Sequence, residues 1–441
     1  MVWDRLQRLR SYVNSSLWVI PFLAIPLELV TIRALEYLGA WLGWNLLRFS
    51  PTGAEALLQT VITATLSFVV FTFGSILVAI QVASGQMTPR IIATTLLRNN
   101  VVKYTVGLFI FTLLFSSSVQ NRIDADARQM LVFVAAVLGL GCFAAFLYLI
   151  DYASRLLRPI SILALVGNDG LEVIGTVYPE PSGGPDASGD SRHRPLGNPG
   201  RVVQHTGTSG IILSVELKRL MVAAVRANGV IEVVPQVGDF VAVDEPLFNL
   251  YAGASALTDA NLRSAVVFGS ERTMEQDPTF SFRIVIDIAL KALSPAINDP
   301  TTAVLAIDQL HRLLRKVGTR HLRTDEIADA AGRLRVILRT PNWEDFVHLA
   351  FNEIRTCGSN SMQVVRRLRA MVENLMQTLP AHRHPALQQE LSLLDRDIER
   401  QFSYPEDRAL ARVADTQGLG GHSSAQATAE RPTSGPAERA A

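Results

Sequence analysis

Charge is scarce in this sequence, and so is cysteine. Of 441 residues 18% are charged, and 41 basic against 40 acidic side chains leave a formal net charge of +1. With neither sign in excess, nothing directs the chain to nucleic acid. Two cysteines, Cys142 and Cys357, build no disulfide framework and point to no oxidising compartment. The charges that do occur are unevenly spread: residues 56–89 and 129–150 hold none. Such runs, together with a positive mean hydropathy, exclude a soluble enzyme, a disordered chain and a secreted disulfide scaffold. What remains is an integral membrane protein with a large soluble extension. At about 100 to 200 residues per domain, the length predicts two or three domains.

A bilayer core about 30 Å thick is crossed by about 20 mostly apolar residues in a helix. Four stretches fit: 17–37, 56–82, 104–119 and 130–150. The first is interrupted by Pro21, Pro26, Glu28 and Arg33. No small-residue cleavage site follows it and more spans come after, so it is not a cleavable signal peptide. Lys and Arg near the span ends fall mainly on one side: Arg5, Arg8, Arg10, Arg90, Arg98, Lys103, Arg155 and Arg158. Arg33, Arg48, Arg122 and Arg128 lie on the other. The richer side belongs inside. Both termini and residues 151–441 are therefore expected in the cytoplasm, with loops near 38–55 and 120–129 outside.

Several polar residues within the spans require an account. Thr60, Thr63, Ser67, Gly74 and Gln81 lie near one face of the second span, at spacings of three, four and seven. They are candidates for lining a water or ion pathway. Packing between helices is the plainer account, because Ser and Thr can bond their own backbone and small residues allow close approach. In the fourth span, Ala135 with Gly139 and Gly141 with Ala145 form two small-x-x-x-small patterns, read as packing faces. Glu28 lies inside the first apolar stretch, where a carboxylate is costly unless paired or wet. Arg33, five residues on, is too far round a helix to be its partner; an interfacial Glu28 at the end of a shorter span is the other reading.

The boundaries follow from composition. Residues 1–158 form the four-span domain and 159–178 a connecting segment. Residues 179–200, dominated by Pro, Gly, Ser and Asp, form a flexible loop, and 413–441 a disordered tail. Between them, 201–260 read as a small β-rich subdomain and 261–412 as a helical one: an α-helical membrane protein with a cytoplasmic α+β domain. Leu217, Leu220, Met221, Ala224 and Val225 recur at helical spacing, and Gly229 provides a stop. The segment from Gly229 then reads as strand, turn, strand, with Gly238-Asp239 as the turn. It resembles half of a biotinyl/lipoyl-type β-sandwich. That family attaches its cofactor to a hairpin lysine; no lysine follows this turn, and Lys218 lies on a helix, so no cofactor is expected.

In the helical subdomain Ile284, Val285, Ile288, Ala289, Ala292 and Leu293 form one face. Arg283, Asp287 and Lys291 lie opposite as an ion-paired, solvent-facing stripe. Asp299, with Pro300 as the first helical residue, predicts a capped helix start after Pro295 and Asn298. Further helical patterns cover 343–356, 359–377 and 385–402. A second joint is expected at Pro89 and Arg90, since Pro89 disfavours helix at Thr88. The runs VAIQVASGQMTPR at 78–90 and DPTFSFRIVIDIALKALSPAINDPTTA at 277–303 resemble two signature stretches of a bacterial predicted-membrane-protein family, the domain of unknown function 2254. The span order and the VGDFV segment fit as well. The resemblance implies a multi-pass protein of the bacterial inner membrane and brings no activity with it.

No catalytic constellation is legible: there is no P-loop, no G-x-G-x-x-G after a strand, no H-E-x-x-H and no G-x-S-x-G. His382 and His384 lie in a Pro-flanked turn without further ligands at metal spacing. Arg312, Arg315, Lys316, Arg320, His321 and Arg323 form the densest basic run, suited to an anionic lipid or a nucleotide phosphate, with a solvated helix face and turn as the plainer account. Arg366, Arg367 and Arg369 repeat that signal. An enzyme is not expected. Two readings remain: an oligomeric channel or transport protein regulated by its cytoplasmic part, or a membrane-anchored sensor or scaffold that binds a partner there.

Overall fold

The computed structural model describes residues 19–42, 49–86, 100–121, 129–156, 158–182, 196–322 and 325–420. The chain divides into two compact units, residues 1–162 and 163–441. Most of the Lys and Arg positions behind the expected orientation, and Pro89 and Arg90, lie outside the described residues.

Four long helices make the first unit: α1 (Val19–Leu42), α2 (Pro51–Gln86), α3 (Asn100–Gln120) and α4 (Gln129–Leu156). Phe115 and Val119, late in α3, pack with Ile32 of α1, with Ala54 and Leu58 early in α2, and with Leu131, Val132 and Ala135 early in α4. Near the other end, Val102 and Val106 meet Ile76 of α2 and Leu149 of α4. Thus α1 and α3 run one way, α2 and α4 the other. Phe68 ties three helices together, its ring 5.7 Å from Phe109 and stacked 4.4 Å from Phe146. The outward faces of α1, α2 and α4 expose Phe22, Val30, Leu66, Val70, Leu140 and Leu147. So large an apolar surface fits a hydrocarbon environment.

Among the described residues, four helices are long and apolar enough to cross a membrane: those beginning at Pro51, Asn100, Gln129 and Pro159. This set differs by one member from the sequence reading. Helix α1 falls short because Glu28, Arg33 and Glu36 all lie within it, yet it packs into the bundle through Ala24, Glu28 and Ile32. The segment read as a connector is instead an apolar helix, α5 (Pro159–Val177). From Leu163 onward it belongs to the second unit. There a Cβ on Gly170 would lie 2.8 Å from both Leu313 and Ser281. Tyr178, just beyond α5, meets Phe346 edge-on. Protein, rather than lipid, accounts for that part of its apolar surface.

The second unit continues with β1 (Arg201–Gln204), β2 (Gly210–Val215), α6 (Leu217–Ala227), β3 (Gly229–Val233), β4 (Phe240–Val241), β5 (Pro246–Ala252), α7 (Asp259–Arg263) and β6 (Val266–Gly269). Then follow α8 (Pro278–Ala292), α9 (Pro300–Gly318), β7 (Glu326–Ala328), β8 (Leu334–Leu338), α10 (Trp343–Gly358), α11 (Met362–Thr378), α12 (His384–Gln401) and α13 (Pro405–Ala411). The strands form a five-stranded sheet, β1-β5-β3-β8-β7, and a three-stranded one, β4-β2-β6. Ile212, Leu220, Ile231, Phe248, Leu250 and Val336 share their core.

Two features depart from the sequence reading. The Gly238-Asp239 turn does not tip a hairpin: β3 pairs with β5, while β4, after the turn, pairs with β2 in the other sheet. The β7–β8 hairpin falls within the stretch read as helical, and β8 lies parallel to β3. Val336, Ile337 and Leu338 are all buried, so β8 lacks the alternation that betrays a strand. Gly229 opens β3 where a Cβ would collide with the backbone of Ala254 and Tyr251. Asn228, not Gly229, takes the left-handed position that ends α6, at φ 48°.

Residues 413–420, read as the start of a disordered tail, are folded. Asp415 accepts the backbone N–H groups of Gln417, Gly418 and Gly420 at 3.1, 2.9 and 2.6 Å. Arg366, 1% exposed, donates to the carbonyls of Val413 and Gly420.

Candidate functional site

The candidate row on α2 faces outward. Thr60, Thr63, Ser67, Gly74 and Gln81 are all exposed in the single chain. The three hydroxyls donate to carbonyls one turn back, those of Ala56, Gln59 and Thr63, each at 2.8 Å. The backbone bonding of the plainer sequence account is thus present, and Thr60 borders helix α4, while the row as a whole is not buried among the described residues. The inward polar positions of α2 are Thr65 and Thr72, which are buried. Of the two patterns on α4, only the first makes a close approach. A Cβ on Gly139 would lie 2.7 Å from Val61 of α2, while nothing stands within 4 Å of Gly141. Beside Gly139 a groove of about 480 Å³ runs between α2 and α4, lined by Thr60, Ala64, Phe68, Leu140 and Phe143.

Glu28 is not at a helix end. It is 4% exposed, on the buried face of α1, and it makes no ion pair or hydrogen bond among the described residues. Arg33 points outward. The sequence marked Glu28 as a carboxylate in an apolar stretch, but the interrupted pattern hid which face is inward.

In the second unit, Asp299 accepts the N–H of Thr302 at 3.1 Å and its hydroxyl at 2.5 Å, with Asn298 at φ 49° just before it. Pro295 lies in the turn from α8 and Pro300 is the first residue of α9. Asp277 repeats this geometry at the start of α8, accepting the N–H of Phe280 at 3.2 Å. It also accepts from Arg272 at 2.6 Å, whose guanidinium lies against Gly238 (φ +94°) and 5.9 Å from the Phe280 ring centroid. Sequence spacing missed this tie between the VGDF turn and the DPTFSF helix.

The charged stripe on α8 is not solvent-facing. Arg283 donates to Asp287 at 2.7 Å and to Glu353 of α10 at 3.1 Å. The bond to Glu353 raises its basicity further. The Arg366, Arg367 and Arg369 cluster is likewise internal. Arg367 bonds Asp308 at 2.6 Å and Arg369 pairs with Asp395. In the other basic run, Arg312 bonds Asn168 at 2.8 Å and Arg320 the Pro179 carbonyl at 2.8 Å. Arg315 is exposed, and Arg323 lies outside the described residues.

No group of three metal-ligating side chains occurs among the described residues. His384 bonds the Leu379 carbonyl at 3.0 Å. A cleft of about 320 Å³ opens between the strands and α8, with Glu216, Lys218, Gln236, Glu275, Arg339 and Thr340 on its walls. These mixed charges suit a small polar ligand and contain no nucleophile-base pair.

A bundle with an outward apolar surface, followed in the chain by a folded α+β unit, defines a multi-pass membrane protein with a substantial second domain. The chain belongs to the bacterial family described as Predicted membrane protein (DUF2254), whose sequence model matches residues 14–374. Uncharacterized proteins of Mycobacterium bovis and Mycobacterium tuberculosis are each 26% identical over 449 residues. Each alignment covers 97% of this chain and 84% of the relative. No solved structure matches the chain.

Proposed function

We propose that this protein is an oligomeric channel or transport-type protein of the bacterial inner membrane. In this reading both termini are cytoplasmic, α1 to α4 are the spans, and the second unit regulates them. One observation carries it: Thr60, Thr63, Ser67 and Gln81 lie near one face of α2 and are exposed among the described residues. Lipid is a poor neighbour for such a row, and four helices with a packed interior leave no water-filled route. Several copies placing α2 around a common axis give the row an aqueous partner. The exposed Arg315, with Lys316 beside it, offers charge to an anionic lipid headgroup. The experiment combines mass photometry with planar-bilayer recording of the wild type, Thr63→Leu and Ser67→Leu. An oligomer whose conductance changes in the variants supports the reading. A monomer with no current under voltage, tension or osmotic shock ends it. The mixed-charge cleft in the second unit favours a second reading, a membrane-anchored sensor that binds a small polar ligand.

A further inference from the structure

The inner face of α1 places a carboxyl where a bilayer-spanning bundle tolerates it least. Ala24, Glu28 and Ile32 recur every fourth residue on that face, at 4%, 4% and 1% exposure. A Cβ on Gly107 of α3 would lie 2.7 Å from Ile20, and Ile32 packs with Phe115 and Val119. Because α1 and α3 run parallel, eight residues beyond Ile20, at about 1.5 Å each, bring Glu28 to the level of Phe115 and Ser116. Thr112 and Ser116 are fully buried there, and the Cys142 thiol of α4 lies 3.2 Å from the Thr112 hydroxyl. Two buried oxygens, Glu28 Oε1 and Ser116 Oγ, have no hydrogen-bond partner among the described residues.

Among the described residues no opposite charge is paired with Glu28. Helix α3 carries only Lys103 and Tyr104, at its other end; α4 carries Cys142 and then Tyr148, Asp151, Tyr152 and Arg155 toward its far end. On α1 itself Arg33 is exposed, and Glu36 and Tyr37 lie two turns on. A bare carboxylate so enclosed costs several kcal/mol or more. Neutralisation by a small cation removes that cost.

We infer that Glu28 is a reversible cation-binding carboxylate in the bundle core, taking up a dehydrated monovalent metal cation from the aqueous phase. The carboxylate gains and loses this ion with no other bond broken and nothing oxidised or reduced. The buried Ser116 hydroxyl supplies a further oxygen at the same level. The inference rests on the first unit lying in the bilayer and not on α2 lining a pore.

The test uses the full chain in lipid nanodiscs, treated with dicyclohexylcarbodiimide and mapped by peptide mass spectrometry. The reagent enters apolar sites and adds a protonated carboxyl across its C=N bond. Glu28 is expected to be modified in preference to the exposed Glu55. Slowing by sodium but not by choline at one pH supports the bound metal cation. Glu28→Gln should remove the adduct and Glu28→Asp restore it, while mapping of the wild type needs no variant to fold. An unmodified Glu28, or modification indifferent to sodium, overturns the inference. A monomer without conductance leaves this result unaffected, so the two readings fail separately.

Discussion

Arg272 donates to Asp277 at 2.6 Å while Asp277 caps the helix that begins one residue later. Asp277 is 3% exposed, so its carboxylate has little water to fall back on. Asp299 holds the equivalent cap at α9 without an arginine. Asp299→Ala should therefore cost about 0.5 to 2 kcal/mol, and Asp277→Ala about 1 to 3, since it also strands Arg272. Thermal melts of the detergent-solubilised chain give the order; equal effects would remove the role of Arg272.

Gly139 and Gly141 separate packing inside the chain from packing outside it. Gly139→Leu should lower the Tm of the single chain, because the new side chain meets Val61 within 2.7 Å of its first carbon. A cost of about 1 to 3 kcal/mol is ordinary for such crowding. Gly141→Leu has open space and should leave the Tm unchanged. A lowered Tm for Gly141→Leu with no change for Gly139→Leu contradicts the α2–α4 contact.

At Gly229 any side chain strikes backbone atoms of Tyr251 and Ala254. Gly229→Ala should destabilise the sheet by about 1 to 3 kcal/mol, read as increased hydrogen exchange across β3 and β5. Unaltered exchange there would mean the close approach does not exist.

Burial pushes the His311 imidazole below its ordinary range, against a hydrogen bond to the Asn374 Oδ1 that raises it; Arg367 and Arg315 lower it further. The neutral ring is thus favoured in the folded state. Its contribution is complete above the unfolded value of about 6.5 and is lost as pH falls below it. The Tm difference between wild type and His311→Gln should shrink from about pH 7.5 to about pH 5.5. A constant difference counts against the buried neutral histidine.

Arg366 and Asp415 hold the chain end against α11. Arg366→Ala loses charge-assisted bonds to two carbonyls, worth about 1.5 kcal/mol or more each. Limited proteolysis should then cleave after residue 412 far faster than in the wild type. Unchanged cleavage would show that Arg366 does not retain 413–420.

The helices of the membrane unit were legible because hydrophobic length is a one-dimensional property: α2 takes in 56–86 of the first run without charge and α4 the whole of the second, 129–150. Caps were legible for the same reason, since Asp299-Pro300 needs only its next three residues. The candidate site was legible as residue types and not as faces. Thr60, Thr63 and Ser67 share a side by periodicity, but periodicity does not say which side the other helices occupy.

The sequence by itself determined a multi-pass membrane protein with a separate α+β unit, because uncharged runs and local caps act within one segment. Tertiary structure alone decided where polarity goes. It turned the α2 hydroxyl row outward, enclosed Glu28 against α3, and made internal ties of Arg283, Arg366 and Arg367. It also placed β8 beside β3, about 100 residues earlier in the chain, and gave α5 from Leu163 onward to the second unit. Each of these depends on which surfaces meet, and residues distant in sequence decide that together.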